Sequence, residues 1–404
     1  MNTDPKPDPK PDPRLSASSQ RLVSLDAFRG LVMLFMMSDG FGFAKAAQAN
    51  PDSAVWQWLK FHTTHAAWTG GGAWDMIQPA FMLMVGMSLP YSLSRRLQEG
   101  EPLSRILAHT LWRSFLLVLL AIFLTTGNGK RPDFAFHNVL AQIGLGYSFV
   151  VLLINRGWKV QTGAIGIIAV LVWGAFVSYP LPGPEINLQA LGVTEALAKD
   201  AVLPGLFAHW NMNTNFAAGF DRWFLNLFPS EKPFVFNKGG YQTLNFVPSI
   251  ITMTLGLMAG ELLRSNRSAR AKLVWLLSVG AACISAGLLA AATVCPLIKR
   301  IWTPSWALYS GGIVLWVFAS LYWAIDMRGW KLWTKPAVVV GMNSIAIYVI
   351  HNRLGGWIKA MGVTYIGQSV FDGPYGGISA SLWALAVLWL FCWWLYQRKI
   401  FIKI

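Results

Sequence analysis

Charged residues are scarce in this 404-residue chain, whereas hydrophobic residues are abundant. Asp, Glu, Lys and Arg make up 13% of the sequence, and hydrophobic residues make up 54%. About a quarter of the residues in an average soluble domain are charged, so this composition excludes an ordinary soluble protein. It is typical of a polytopic membrane protein, and we expect an all-α bundle of transmembrane helices.

Cysteine and the signatures of soluble enzymes are also lacking. The three cysteines, Cys283, Cys295 and Cys392, lie in or beside apolar runs and support neither a disulfide framework nor a thiolate metal site. The sequence has no phosphate-binding glycine loop after a strand, no HExxH motif and no GxSxG elbow. We therefore expect no metal cofactor.

Acidic residues are outnumbered by basic ones, 18 against 33, which gives a formal net charge of +15. In a membrane protein Lys and Arg collect in cytoplasmic loops, so this surplus is first a topology signal and only then an attraction for an anionic ligand. We do not predict nucleic-acid binding. The expected partners are membrane lipid and small molecules, with homo-oligomerisation left open.

The first 20 residues differ from the rest of the chain. They begin with the repeat DPKPDPKPDP, which favours an extended conformation and has little apolar surface to bury. We predict a disordered cytoplasmic tail over 1–20 and one transmembrane domain over 21–404. The tail lacks the features of a cleavable signal peptide, so the first spanning helix is expected to stay on the protein.

Windows of about 20 apolar residues predict about ten spanning helices. The first follows Arg21, and the others fall near 73–94, 106–126, 137–155, 160–180, 244–263, 272–294, 305–325, 335–351 and 379–397. An even number of spans puts both termini on one side, and the basic loops predict that this is the cytoplasmic side of the inner (plasma) membrane. This topology leaves Lys299 and Arg300 outside, which indicates either an anionic ligand or a short tolerated loop.

One outer connection, 181–243, is unusually long. Its aromatic residues alternate with Asn and with charged residues, among them Trp210, Asp221 and Arg222. Amides, carboxylates and aromatic faces suit a sugar-like ligand, so these three residues are candidate substrate contacts. An amphipathic lid lying in the membrane interface explains the pattern equally well.

The first predicted helix carries charges that need partners. Asp26 and Arg29 are three residues apart and share a helix face, which favours a structural ion pair over a catalytic role. Asp39, at the far end of the same helix, is a candidate substrate-binding residue facing a cavity.

Chemically capable groups cluster at the start of the second predicted span, between His62 and Ser88. Ionisable groups near hydrocarbon are costly unless partnered, so they are functional candidates, although a lone histidine there can simply be wetted by headgroup water. His65 can accept a proton from an amine or carry an acyl group. Asp75, also a candidate substrate-binding residue, can orient His65 or cap the helix, and we favour capping. His62 is expected to play a supporting role.

Four motifs, in order along the chain, carry a resemblance to a known family. They are SLDAFRG, HAAWTGGGAWDMIQPAFMLMVG, IWTPSWALYSGG and GMNSIAIYVIHN. Together they resemble the transmembrane acetyltransferase family of heparan-alpha-glucosaminide N-acetyltransferase and its bacterial relatives. The resemblance implies transfer of an acetyl group from cytosolic acetyl-CoA to a sugar amine across the membrane.

The resemblance also assigns residues. The catalytic histidine of an H-x-x-W-N-G motif corresponds to His65 and its tryptophan to Trp68, whereas Thr69 replaces the asparagine. The fourth motif implies that Asn343 and His351 line the same cavity, and simple packing is the alternative. From residue type and helix position, either Asn343 or a backbone N–H is a candidate oxyanion donor.

The function predicted from the sequence is therefore a membrane acetyltransferase with a glycan-type acceptor. Direct transfer with His65 as general base and a two-step route through acetyl-histidine both fit. A transporter for an anionic or polar solute is the alternative, although no convincing internal repeat supports it. A catalytically idle assembly partner is a third hypothesis, which the presence of His65 disfavours.

Overall fold

The computed structural model describes residues 22–127, 129 and 131–402. The predicted tail, 1–20, lies outside these residues. The described part is all-helical, as predicted, and its β-type pairing is limited to isolated bridges from Thr69 and Gly70 to Ile298. In chain order, the helices are α1 (Val23–Met37), α2 (Phe43–Ala49), α3 (Ala54–Thr63), α4 (Ile77–Gln98), α5 (Leu103–Thr126), α6 (Val139–Val151), α7 (Trp158–Val177), α8 (Glu195–Ala201), α9 (Phe216–Phe224), α10 (Phe246–Arg264), α11 (Ala269–Thr293), α12 (Pro304–Leu321), α13 (Lys335–Gly341), α14 (Ser344–Ile366), α15 (Gln368–Phe371) and α16 (Gly376–Gln397).

Eight helical segments of the described chain are long and apolar enough to cross a membrane, and a bent pair of helices is a ninth candidate. In α5, α7, α11 and α16, less than a third of the most apolar 18-residue stretch is buried inside the protein. Such apolar exposure is stable against lipid and unfavourable in water. The chain is therefore a multi-pass membrane protein.

Two predicted spans differ from the sequence windows. Helix α6 has 13 residues and is only about 20 Å long, shorter than a typical bilayer core. The window at 335–351 contains a 69° bend between α13 and α14. Asn343 lies at this break, where its Nδ2 donates to the Ile400 carbonyl (3.0 Å) and its Oδ1 accepts from the Ile402 backbone N–H (2.9 Å).

Helices α4 and α10 form the centre of the bundle. A Cβ atom at Gly86 would overlap the carbonyl oxygen of Met253, and one at Gly256 would overlap that of Leu83. The absence of side chains at these two glycines lets the two backbones touch, as is common between membrane helices. Helix α4 is thereby held rigidly, and the loop that carries His65 leads directly into it.

The long connection 181–243 folds into a packed layer. Trp210 is fully buried and stacks on Phe176 of α7, with ring centroids 6.1 Å apart and planes 9° apart. The indole N–H of Trp68 donates to the Trp210 carbonyl (3.1 Å). The connection is thus fastened to the loop of the candidate site.

Candidate functional site

The site is built on the loop between α3 and α4, and Asp75 holds this loop in shape. Asp75 is 1% exposed, and its Oδ2 accepts from the backbone N–H groups of Ala66 (3.1 Å) and Gly72 (3.2 Å). The contact with Gly72 caps the turn that starts α4, while the contact with Ala66 fixes the chain next to His65. The predicted cap is therefore present.

The second oxygen of Asp75 orients His65. Its Oδ1 lies 2.8 Å from His65 Nδ1, and the His65 side chain is 42% exposed. With a proton on Nδ1 donated to Asp75, the lone pair of Nε2 is available to a substrate. A buried carboxylate that fixes an imidazole in this way is a recurring arrangement for general-base and nucleophilic catalysis. Asp75 thus both caps the helix and orients His65.

A third group, Lys299, completes this cluster. Its Nζ lies 3.1 Å from Asp75 Oδ1 and 2.9 Å from His65 Nδ1, and its side chain is 6% exposed. Burial lowers the pKa of Lys299 to about 8, although the Asp75 carboxylate opposes this shift. The outer loop that carries Lys299 is fixed by two further contacts, from the Gly70 N–H to the Leu297 carbonyl (2.8 Å) and from the Arg300 guanidinium to Ala66.

His65 and Lys299 face a cavity of about 300 Å³. The cavity is also lined by residues from five other parts of the chain: Met36, Asp39, Trp74, Ile77, Gln78, Phe81, His137, Asn138, Val139, Tyr241, Tyr348, His351 and Asn352. Polar and aromatic groups therefore surround His65, and the space is suited to a small polar ligand.

A second carboxylate cluster lines the same cavity. Asp39 contacts His351 Nε2 through Oδ1 (3.2 Å) and Lys359 Nζ through Oδ2 (2.6 Å). Asp39 begins a turn in which four successive residues have φ between +47° and +66°. This left-handed turn directs the chain sharply out of α1 and ends the helix beside the cavity.

A larger cavity of about 680 Å³ abuts the first one. The two share three lining residues, Phe81, Val139 and Tyr348. On α4 the lining runs from the small cavity to the large one through Ile77, Gln78, Phe81, Met84, Val85, Ser88 and Ser92. Along α14 the lining residues, again from the small cavity to the large one, are Asn352, His351, Tyr348, Ile345 and Ser344. The cavities are therefore arranged in series along two helices, over about 21 Å from Gln78 to Ser92.

The larger cavity combines apolar walls with basic groups. The basic residues are Arg29, His109 and Arg113. Arg29 Nη1 lies 3.7 Å from Asp26 Oδ1, in the predicted ion pair, and the Nε of Arg113 is buried without a hydrogen-bond partner in the described structure. An anionic head with a flexible, largely apolar arm matches this distribution of groups.

Several predicted site residues lie away from both cavities. Trp68 is 1% exposed and packs in the same buried cluster as Trp210. Asp221 is 2% exposed and accepts from the Thr243 N–H (3.0 Å), while Arg222 donates to the Asn213 carbonyl (2.9 Å). These four side chains hold the outer layer together, so the structure gives no support to their contact with a substrate.

Two further predictions change for a similar reason. Both polar side-chain atoms of Asn343 bind the backbone of residues 400 and 402, and the fully buried side chain lines neither cavity, so the structure gives no support to Asn343 as an oxyanion donor. Asp75 is buried behind His65 and does not line the cavity, so a direct contact between Asp75 and substrate is not supported. Its observed contact is with His65 itself.

Sequence reasoning missed three cavity-lining groups. Tyr241 stacks on His137, with ring centroids 5.7 Å apart, and Arg300 covers the Tyr241 ring at 5.4 Å. Burial lowers the pKa of His137, which favours a neutral imidazole. Gln78 lies in the first turn of α4, below His65. In the sequence, the one signal for this part of the cavity was the pair of basic residues, Lys299 and Arg300, in a loop predicted to lie outside.

The chemistry that these side chains can supply is proton transfer and nucleophilic attack by an imidazole. In residues 22–127, 129 and 131–402, no group of three or more His, Cys, Asp or Glu side chains is arranged to hold a metal ion. Fold and site together define a polytopic helical membrane protein with a histidine–carboxylate pair facing an internal cavity.

Comparison with known proteins finds similarity to two proteins that carry the same name. The chain is 27% identical to human heparan-alpha-glucosaminide N-acetyltransferase over 438 aligned positions, which cover 97% of this chain. It is 25% identical to the mouse protein of the same name, over 96% of this chain. No family model matches the sequence. The chain spans 61% of the length of each of these relatives.

These similarities extend along nearly the whole chain and agree with the motifs found in the sequence. The chain is thus similar to heparan-alpha-glucosaminide N-acetyltransferases along nearly its whole length.

Proposed function

We propose that the protein is a transmembrane acetyltransferase that moves an acetyl group from acetyl-CoA to the amino group of a sugar or other glycan. The observation that carries the proposal is the His65–Asp75 pair, which faces a small polar cavity abutting a larger one with basic groups. The names of the relatives support acetyl transfer to an amine.

The larger cavity is the proposed donor site. Arg29 and Arg113 would bind the phosphates of acetyl-CoA, and the apolar walls would hold its flexible arm. The thioester would then pass Phe81 and Tyr348 to reach His65. In the proposed orientation the donor enters from the cytoplasm and the acceptor from the periplasmic side.

The smaller cavity is the proposed acceptor site. In direct transfer, the amine nitrogen attacks the thioester carbonyl, its proton moves to His65 Nε2, the C–S bond breaks, and the proton passes to the departing thiolate. In the two-step route, Nε2 itself attacks the thioester carbonyl, and the C–S bond breaks to release the thiolate. The amine then attacks the acetyl group, the bond from the acetyl carbon to Nε2 breaks, and the amine proton passes to the released thiolate. Asp75 keeps Nε2 pointed at the cavity in both routes.

The transporter hypothesis is not favoured, because the matched relatives are named as acetyltransferases. The cavities in series would also serve a solute path, but a solute path does not require a histidine held by a buried carboxylate.

The first experiment incubates purified protein with radiolabelled acetyl-CoA and a panel of amino sugars. We expect wild type to label one acceptor and His65→Ala to lose at least about 99% of that activity. His62→Ala is the matched control, because His62 lies in the same segment but accepts from the Ala73 N–H (3.3 Å) and contacts the rings of Trp58 and Phe61 instead of Asp75. It should retain most activity.

The distribution of the label separates the routes. Labelled protein that passes acetyl to the sugar would support acetyl-histidine, while labelled sugar without labelled protein would support direct transfer. Equal transfer by wild type and His65→Ala would disprove the catalytic assignment. No acetyl transfer by wild type to any acceptor would count against the proposed function.

A further inference from the structure

Lys299 forms a closed triangle with the two groups of the proposed dyad. Its Nζ lies 2.9 Å from His65 Nδ1 and 3.1 Å from Asp75 Oδ1, and these two atoms are themselves 2.8 Å apart. We infer that Lys299 is a positioning residue whose ammonium group keeps the His65 ring neutral at neutral pH, so that, with its one proton on Nδ1 toward Asp75, the ring presents a free Nε2 lone pair for transfer. This inference rests on the proposed function, because Lys299 would act through His65.

The physical reason is the balance of charge around the imidazole. A buried carboxylate at 2.8 Å, left alone, would strongly stabilise a protonated imidazole. A protonated imidazole has no lone pair on Nε2 and is neither a base nor a nucleophile. The ammonium group of Lys299 neutralises Asp75 and opposes a second positive charge 2.9 Å away.

Lys299 is not needed to hold its own loop in place. Backbone pairing between Gly70 and Leu297 and the contact of Arg300 with Ala66 already join the two loops. The Thr303 hydroxyl also binds inside the Lys299 loop. Removing the Lys299 ammonium group should therefore change the charge next to His65 more than it changes the loop.

Other charged and titratable groups surround the triangle. They come from every element that meets the cavity and are His62, Arg300, Tyr241, His137, Asp39, His351 and Lys359. Among these, Lys359 offers a matched control, because it is also a lysine paired with a carboxylate but contacts Asp39 instead of His65.

The pKa of Lys299 sets the pH range in which its ammonium group can act on His65. The pKa of Lys299 is lowered to about 8, so its ammonium form predominates at neutral pH and is lost as the pH rises through about 8. The influence of Lys299 on His65 is therefore fully present below this range and fades above it.

The test compares Lys299→Met, Lys299→Gln, Lys299→Arg and Lys359→Met as full-length protein. Acetyl transfer is measured from about pH 5.5 to about pH 8, together with carbethoxylation of His65 by diethyl pyrocarbonate, which modifies the neutral imidazole. Mass spectrometry of the modified peptide separates His65 from His62.

For the two neutral variants we expect transfer at about pH 6.5 to fall at least about ten-fold and to recover as the pH rises. The pH of half-maximal His65 modification should be higher in these variants than in wild type. Lys299→Arg and Lys359→Met should retain the wild-type pH dependence. The Gln variant guards against a packing defect of Met, because it keeps a donor for Asp75.

Other outcomes overturn the inference. A loss of transfer by the same factor at every pH would assign Lys299 a merely structural role, as would unchanged pH dependence of His65 modification. An equal shift in Lys359→Met would show a general effect of cavity charge. The modification assay does not require transfer, so it decides the role of Lys299 even if the proposed function fails.

Discussion

Two clusters of identical composition face one cavity, and they differ in how they are held. Each contains one aspartate, one histidine and one lysine: Asp75 with His65 and Lys299, and Asp39 with His351 and Lys359. Asp75 is 1% exposed, whereas the Asp39 side chain is 38% exposed.

Backbone contacts widen this difference. Asp75 accepts two backbone N–H groups as well as its two side-chain partners, so its carboxylate has one fixed orientation. In the described structure, the two ion-pair partners of the Asp39 carboxylate are side chains, one of them a flexible lysine. The comparison suggests that the first cluster orients a reacting group, while the second can rearrange around a ligand.

The largest effect is expected from breaking the buried cluster. Asp75→Asn should reduce the turnover of acetyl transfer about 1000-fold, because a neutral amide does not hold His65 in one tautomer and leaves Lys299 buried without a counter-charge. The rate at saturating acetyl-CoA and acceptor measures this effect. A loss confined to KM would contradict the orienting role of Asp75.

The matched change in the exposed cluster should be smaller. Asp39→Asn should reduce acetyl transfer about ten-fold, mainly through a higher KM for the acceptor, because His351 and Lys359 keep access to solvent and to a bound ligand. Steady-state kinetics with each substrate varied in turn tests this division. If Asp39→Asn matches Asp75→Asn in turnover, the distinction between the clusters is wrong.

Part of the site could be predicted from the sequence because its signals are local. His65 and Asp75 lie within 11 residues, next to an apolar helix, and the motif around them marked both. Lys299 is 234 residues from His65, and only the fold brings them together. Its placement in an outer loop signalled something unusual, but a sequence gives no distance between loops.

Other candidate residues were chosen for their chemistry, which does not fix their position in the fold. Trp210 and Asp221 have the chemistry of a sugar site, but both are used to pack the outer layer. The all-helical fold and most spans were predictable from apolar runs alone. The break at Asn343 was not, because it depends on contacts with the distant segment 400–402.

A third carboxylate, that of the buried Asp221, extends the comparison to stability, with little expected effect on acetyl transfer. It is buried as deeply as Asp75, but in the described residues no Lys or Arg group lies within ion-pair distance of its carboxylate. Burial raises the pKa of Asp221 to about 6, although hydrogen bonds from Thr243 oppose this shift. The folded protein therefore retains a proton on Asp221 at a pH where the unfolded chain has lost it.

The sign of the pH dependence follows directly. Between about pH 4 and about pH 6 the folded state binds more protons than the unfolded state, so the contribution of Asp221 to stability falls as the pH rises, by about 3 kcal/mol in all. Asp221→Asn mimics the protonated form at every pH and should therefore remove the loss of stability that ionisation of Asp221 causes. Thermal unfolding in detergent should show a gain in stability for the variant at about pH 7 that disappears near pH 4. A variant that is less stable than wild type at about pH 7 would show that the charged carboxylate stabilises the fold, and Asp221 would then resemble Asp75 after all.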